Sequence, residues 1–520
     1  MSPPPEIPTP ENGFHVLVTG ANSGLGLGIA TRLIDEFLQT RPLDQSLILT
    51  ITTRDQRKGD ATIDKLEHHL RSTIHTHERK LPGIASRLQS RVHFRQERLD
   101  LLSLVSVQKL SKKLRDTTPK LDVLICNAGI GGWTGIDWPR AIWTILCNLK
   151  NALTWPTYKL SGIGWLAKPQ VAGEKGLDEP PLGEVFCANV FGHYMLGHYL
   201  APLLAKHPKS QQTRGRIIWV SSLEAYDHVF SVDDIQGITS DMPYECSKRL
   251  TDVLAISSTL PCTREAVDHY LGDVKDTEET TKPRLYVSHP GICGTSIMPL
   301  PLILEYCMVI AFFIGRWVGS PWHTVSVAKG ATAMVWLALA SQSTLDHVEA
   351  EEGVGKWGSA TNFWGEERVD RTEVAGWGWG GKLGERKRRG RDPHAKDLCK
   401  QSQERFLETG QKCWEEMERL RVEWEERLQA RCFHRFTFFS HKLECNHREA
   451  QKSSLTSTRP PTRTQTHART SVSERSMDPK GDPLPSDFPP VFARDTTLDA
   501  PSHATGTYTV LALDSAFAIA

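Results

Sequence analysis

The stretch FHVLVTGANSGLG, residues 14–26, decides the fold. Phe14 to Val18 is apolar and β-branched, as a buried parallel strand requires. Thr19-Gly20 closes that run, and residues 25–38 carry apolar side chains at helical spacing. The pattern Thr19-Gly20-x-x-x-Gly24-x-Gly26 therefore sits between a strand and a helix. Gly20 and Gly24 permit a tight turn and close backbone approach to a phosphate. Gly26 lets the helix pack on the sheet. Asn22, Ser23 and Leu25 fill the turn. A helix N-terminus presented in this way binds the pyrophosphate of a dinucleotide. The bland alternative is a structural glycine turn, and the strand-turn-helix context weighs against it.

Working outward, strands are expected over 47–53, 92–99, 121–126, 216–220 and 285–288. Helices are expected over 61–70, 104–114, 185–204 and 244–260. This alternation predicts an α/β fold, a Rossmann-type doubly wound parallel sheet. Residues 1–13 read as a flexible N-terminus and 14–381 as one catalytic domain, ending in the Trp-Gly run WGWGG. An aromatic-rich insertion over 138–180 carries Trp138, Trp143, Trp155, Tyr158 and Trp165. A basic linker and one charged amphipathic helix occupy 382–430, with Phe406, Cys413, Met417, Leu420, Trp424 and Leu428 three, four or seven apart. The tail over 431–520 is rich in Ser, Thr, Arg, Pro and Asp and reads as disordered.

Composition narrows the class. The 520 residues carry a net charge of +1, so no global field calls for nucleic acid. Eleven cysteines, odd in number and without a Cys-x-x-Cys pair, favour free thiols over a disulfide framework. Cys432, His434, His441, Cys445 and His447 match no zinc spacing, so no metal is expected. Cys187, His193 and His198 read as packing or surface residues on a helix. The first residues lack the basic-then-apolar design of a secretory signal. The apolar segment 299–320 is interrupted by Glu305 and Arg316. A spanning helix needs about 20 mostly apolar residues, so surface association is the expectation, with both charges reaching water. The insertion and this segment equally suit core or a dimer interface.

The chemistry concentrates in Tyr244-Glu-Cys-Ser-Lys248. Tyrosine is a poor acid or base at neutral pH, with a reference pKa of about 10. A lysine four residues on shares its helix face and lowers that pKa by its charge. With the pyrophosphate turn, this pair describes hydride transfer with a tyrosine as the acid. Ser222, at the end of IIWVSS, is placed to hydrogen-bond a substrate carbonyl; Ser221 is the neighbouring alternative. Asn189 lies in an apolar helix and either fills a structural role or holds a water that connects Lys248 to solvent. Arg54 follows the second strand, where an arginine accommodates a 2′-phosphate, and Lys58 adds charge one turn on. The alternative is a solvated arginine. Asp100 either accepts from the adenine amine or caps the next helix. Asn127-Ala128-Gly129 lets backbone approach the cofactor, with Asn127 tying neighbouring strands.

TGxxxGxG, NAG, a strand-end serine and Tyr-x-x-x-Lys in this order resemble the short-chain dehydrogenase/reductase family over residues 14–340. The resemblance implies a catalytic tetrad of Asn189, Ser222, Tyr244 and Lys248. It also implies that Pro290-Gly291, with Thr295 beyond, closes over the nicotinamide. Within the family, NALTWPTYKLSGIG, ECSKRLTDVLA, SVDDIQGI, TEVAGWGWGG and KCWEEMERLRVEWEE are similar to the fungal 3-keto-sterol reductases of ergosterol synthesis. That likeness implies NADPH as cofactor and reduction of a C-4-demethylated 3-keto sterol to the 3β-alcohol. It further implies peripheral attachment to the endoplasmic reticulum or lipid droplets on the cytosolic face. Other enzymes of sterol C-4 demethylation, and a second copy in a homo-oligomer, are the implied protein partners. Residues beyond 431 carry none of this likeness. Two rival readings are a reductase of retinoids, steroid hormones or small carbonyls, and a non-catalytic nucleotide-binding scaffold. A broken tetrad would mark the scaffold, and here the tetrad is complete.

Overall fold

The computed structural model describes residues 12–170, 179–207, 213–272, 281–295 and 302–455, with side chains described up to residue 429. The expectations for 1–11, for 171–178 of the insertion, for 299–301 and for the tail from 456 lie outside the described residues. So do the side chains of the Cys/His cluster. No group of metal-ligating side chains occurs among the described residues, and the described cysteines are free.

Eight strands form one sheet: β1 (Gly13–Val18), β2 (Ser46–Thr53), β3 (Val92–Arg98), β4 (Val123–Cys126), β7 (Arg216–Val220), β8 (Arg284–His289), β9 (Lys356–Thr361) and β10 (Glu367–Thr372). Their order is β10-β9-β8-β7-β4-β1-β2-β3. Every pairing is parallel except β9 with β10. The order reverses between β1 and β4, so the crevice above their carboxyl ends is where such a sheet binds ligand. A separate antiparallel ribbon, β5 (Trp133–Ile136) with β6 (Lys159–Ser161), lies in the insertion.

Both faces of the sheet are covered. Ile29, Leu33 and Phe37 of helix Gly24–Thr40 and Met334, Val335 and Leu337 of helix Thr332–Leu339 pack on one face. On the other, Leu104, Val107 and Leu110 meet Val190, Tyr194 and Leu196, with Leu250 and Val253 beside them. Burial on both faces explains why the central strands read as continuous apolar runs.

Two features depart from the sequence reading. β9 and β10 extend the sheet at 356–372, where the pattern KWGSAT…ERVDRT mixes charge into strand positions and gives no clean alternation. The C-terminal helix is no appendage of a domain ending near 381. It runs Lys400–Leu455. Its Phe406, Cys413, Trp414, Met417, Leu420, Trp424 and Leu428 belong to the same core as Leu250 and Leu254. The Trp414 indole donates to the carbonyl of Leu254 (3.2 Å) and to Ser257 Oγ (3.1 Å). His198 meets Glu425 at 3.3 Å, and Tyr194 donates to Glu418 at 2.7 Å. The apolar stripe thus closes the core beneath the helix that carries Tyr244.

Trp414→Ala should therefore destabilise the fold by about 3–5 kcal/mol, the usual range for emptying a buried tryptophan site. Urea unfolding followed by circular dichroism measures it; a change below about 1 kcal/mol would show the helix to be dispensable.

Candidate active site

A single cleft of about 970 Å³ runs along the carboxyl ends of the strands, from Arg54 to Phe312. At one end lies the glycine turn. Gly20 has φ +66°, and a Cβ there would come within 2.8 Å of Ala128 Cβ. A Cβ on Gly26 would overlap the Gly20 carbonyl. Side chains are excluded so that backbone can line the cleft. The helix Gly24–Thr40 begins after Ser23, which makes no side-chain cap hydrogen bond. Its first amides are thus left for a ligand, and helix N-termini favour anions. These residues fit the pyrophosphate of a nicotinamide dinucleotide.

The turn is held from below by Thr19, which does not line the cleft. Its hydroxyl accepts from the amides of Asn127 (2.9 Å) and Ala128 (3.0 Å) and meets His193 Nε2 at 2.8 Å. Asn127 Nδ2 donates to the Thr19 carbonyl at 2.9 Å. This joint locks β1 to β4 at the point where the strand order reverses. His193 is fully buried, and burial pulls its pKa down to about 3, so the ring is neutral and can pair with the hydroxyl. It is a structural member of the site rather than passive packing.

Around the turn, Asn22, Ser23, Gly24, Leu25, Arg54, Asp100, Ala128 and Gly129 all line the cleft. Lys58 does not: it stands exposed on the next helix, where its amide donates to the Asp55 cap at 2.9 Å. Arg54 is exposed at the end of β2, with no partner among the described residues. Asp100 does not cap the following helix. Ser103 accepts from the Ser106 amide instead (3.3 Å), while Asp100 Oδ1 accepts from Leu102 N (3.2 Å).

At the other end, Tyr244 and Lys248 rise from helix Pro243–Ser257. Lys248 Nζ lies 5.5 Å from the Tyr244 ring centre and donates to the Val220 carbonyl at 2.8 Å. Burial, followed by the neighbouring Lys356, pulls its pKa down to about 8. Burial and then Glu224 push the Tyr244 phenol up, and a hydrogen bond with Ser222 opposes them. Ser222 is therefore the serine that meets the phenol. Ser221 is turned inward and donates to the Lys248 carbonyl at 3.3 Å. Lys356 Nζ donates to the Ser222 carbonyl and to Asp252 Oδ2, each at 2.6 Å.

Asn189 is set in a π-helical turn, Cys187–Phe191. Its Oδ1 accepts from Ile130 N (2.8 Å). Its Nδ2 donates to the Ile130 carbonyl and to Ser247 Oγ, both at 3.0 Å. The carboxamide makes three hydrogen bonds and does not line the cleft. It clamps the segment after β4 to the helix of Tyr244, as the structural alternative has it.

Pro290, Gly291 and Thr295 cover the cleft from the end of β8. Nothing in the local pattern marks the residue that orients them. His289 Nδ1 accepts from Gly291 N (3.0 Å), and Nε2 pairs with Thr372 Oγ1 of β10 (2.6 Å). Burial holds this ring well below its ordinary pKa, so it stays neutral.

The mouth beyond Tyr244 is apolar. Ile145, Leu153, Pro156 and Trp165 of the insertion face Met308, Ala311 and Phe312 of helix Leu302–Trp317. Arg316 on that helix is 6% exposed and does not reach water. Its guanidinium donates to the carbonyls of His323 (3.0 Å) and Thr324 (2.9 Å). The sequence reading had it solvated.

No protein-family model matches the chain. Among curated proteins it is 47% identical to the 3-keto-steroid reductase erg27 of Aspergillus fumigatus over 432 residues, 79% of this chain and 94% of that one. It is 38% identical to the 3-keto-steroid reductase ERG27 of Gibberella zeae over 461 residues, 81% of this chain and 95% of that one. The 3-keto-steroid reductase erg27 of Schizosaccharomyces pombe is 34% identical over 364 residues, 69% of this chain and 90% of that one.

Proposed function

We infer the reaction of this chain from one premise: it belongs to the family of fungal 3-keto-steroid reductases. It is an oxidoreductase that reduces the C3 ketone of a C-4-demethylated sterol intermediate to the 3β-hydroxyl, with NADPH, in ergosterol synthesis. The observation that carries this reading is the 47% identity over 94% of a 3-keto-steroid reductase. The apolar mouth beside Tyr244 supports it, because a steroid skeleton offers almost no polar group to bind.

NADPH supplies the hydride. Gly20 to Gly26 present bare amides to its pyrophosphate, and Arg54, at the end of β2, is the residue that would meet a 2′-phosphate. Ser222 and Tyr244 hold the ketone oxygen between two hydroxyls. Tyr244 gives its phenolic proton to that oxygen as negative charge develops there, and the Lys248 ammonium stabilises the phenolate left behind. Lys248, anchored on the Val220 carbonyl, keeps further N–H groups for the nicotinamide ribose. Lys356 and Asn189 act one step away, holding Ser222 and the helix of Tyr244 in register.

The membrane reading rests on two helices with two apolar faces each. On Leu302–Trp317, Met308, Ala311 and Phe312 face the cleft, while Ile303, Tyr306, Ile310, Phe313 and Trp317 are exposed at 3,4,3,4 spacing. On Trp138–Cys147, Ala141 and Ile145 face the cleft, while Ile142, Trp143 and Leu146 point outward. No helix among the described residues is long and apolar enough to cross a membrane. Such rows suit the interface of a bilayer, and a sterol could pass between them. The site of action in this reading is the cytosolic face of the endoplasmic reticulum or lipid droplets. Phe312, turned to the cleft, is not part of the outer row.

Four outcomes test these inferences. Purified protein should oxidise NADPH with 3-keto sterols and much less with retinal or small carbonyls. Tyr244→Phe should lower that turnover by a factor of about 10²–10⁴, the usual worth of a general acid, while NADPH still binds by fluorescence titration. Near-normal turnover in that variant removes the phenol from the mechanism. Arg54→Ala should weaken NADPH by at least about tenfold and leave NADH nearly unchanged, since a charge-assisted contact worth roughly 1.5–3 kcal/mol is lost only with the phosphate. Equal losses for both cofactors would count against Arg54. In liposome flotation, the wild type should rise with the vesicles. A variant with Trp143, Leu146, Ile310 and Phe313 changed to Ser should stay at the bottom. If both float, or neither does, the exposed rows are a protein interface.

A further inference from the structure

The insertion does more than widen the mouth. Its ribbon β5–β6 carries Lys159 and Trp133 against the ring of Tyr244. Trp133 and Tyr244 have ring centres 4.9 Å apart. Lys159 Nζ lies 4.2 Å from the Trp133 ring centre and 5.5 Å from that of Tyr244, as far as Lys248 stands on the same ring. The Lys159 ammonium also pairs with Glu224 Oε1 at 2.6 Å and Glu245 Oε1 at 3.2 Å. Glu224 stands two residues after Ser222, and Glu245 follows Tyr244 directly. Two carboxylates therefore flank the proton donor, and one lysine from a different part of the chain answers both.

This cluster is buried. Glu245 is 1% exposed and its Oε2 has no hydrogen-bond partner. Burial pushes its carboxyl up, and Lys159 opposes that. A pair placed this deep is a costly way to gain stability. Its position suggests electrostatic work instead. When Tyr244 gives up its proton, the new phenolate must share the site with Glu224 and Glu245. Like charges at this range raise the energy of the ionised phenol, and a cation over the ring face lowers it.

We propose that Lys159 is a positioning residue of the reaction: its ammonium pairs with both Glu224 and Glu245, offsets one of their two charges and holds Trp133 against the phenol, so that less negative charge stands beside Tyr244 when it meets the substrate oxygen. The groups facing Tyr244 come from several elements. Glu245 and Lys248 come from its own helix, Ser222 and Glu224 from the loop after β7, and Cys293 from the segment after β8. Lys159 comes from the ribbon, with Tyr158, whose phenol faces the same Glu224, next to it. Lys248 alone balances one negative charge; the two carboxylates need the second cation. The inference rests on Tyr244 being the proton donor.

The test is the pH profile of the reverse reaction, oxidation of a 3β-hydroxysterol with NADP⁺, in which the ionised phenol accepts the proton. The rate rises with pH along one limb set by Tyr244. In Lys159→Met that limb should move to higher pH by about one unit or more, with a rate near pH 7 about tenfold lower. Lys159→Arg should restore it. Glu224→Gln should move the limb to lower pH, and this variant decides the matter if Lys159→Met does not fold. Opposite shifts in the two variants support the proposal. A limb that stays in place in either soluble variant overturns it, since a purely structural pair changes the amplitude and not the midpoint. A wild type inactive on 3-keto sterols, or a fully active Tyr244→Phe, would instead sink the reading on which the inference rests.

Discussion

Beneath Ser222 and Lys248, the structure buries one ion pair, Lys356 with Asp252, at 2.6 Å and 2% exposure on each side. The rest of the site depends on it. Lys356 opens β9, Asp252 lies one turn after Lys248 on the helix of Tyr244, and the Lys356 ammonium also holds the Ser222 carbonyl. One cation thus joins a strand, a helix and the end of β7. Such a pair is a weak source of stability, because desolvation of both charges offsets their attraction. Its worth is register. Removing either partner would leave an unpaired charge acting on Lys248, whose own pKa burial and Lys356 already lower.

The same logic recurs around the cleft. Neutral buried histidines do the joining: His193 pairs with Thr19 under the glycine turn, and His289, at the end of β8, links Gly291 to Thr372 of β10. A neutral imidazole has one donor and one acceptor, so it can link two backbone-bearing elements without bringing a charge into the core. Asn189 does this with a carboxamide between Ile130 and Ser247. The side chains that would face ligand are few; those that hold them in place come from far along the chain.

The cleft itself is made of two structural parts. The dinucleotide end is built from backbone and from short side chains at strand ends. The mouth comes from additions to that sheet: the ribbon β5–β6, helix Trp138–Cys147 and helix Leu302–Trp317. These additions supply the apolar walls, the Lys159 cation and the exposed apolar rows together. A large apolar substrate requires a wall that continues from the reacting atom to a lipid-facing surface, and only elements with two apolar faces can provide it.

Whatever depends on local spacing was legible in the chain. FHVLVTGANSGLG specifies strand, turn and helix, because glycine is demanded where Cβ atoms would collide. Tyr244 and Lys248 share a helix face because 3.6 residues make a turn. The alternation of strands and helices was legible for the same reason. Packing settled which of two serines meets Tyr244, that Arg316 turns inward to two carbonyls, and that the helix beginning at Lys400 seals the core. It alone brought Lys159, Lys356, His193 and His289 to the site. Each of these depends on contacts across tens to hundreds of residues, and a buried charge or imidazole carries no mark in the sequence of the partner it will find. Spacing along the chain fixes faces, whereas packing between elements fixes partners.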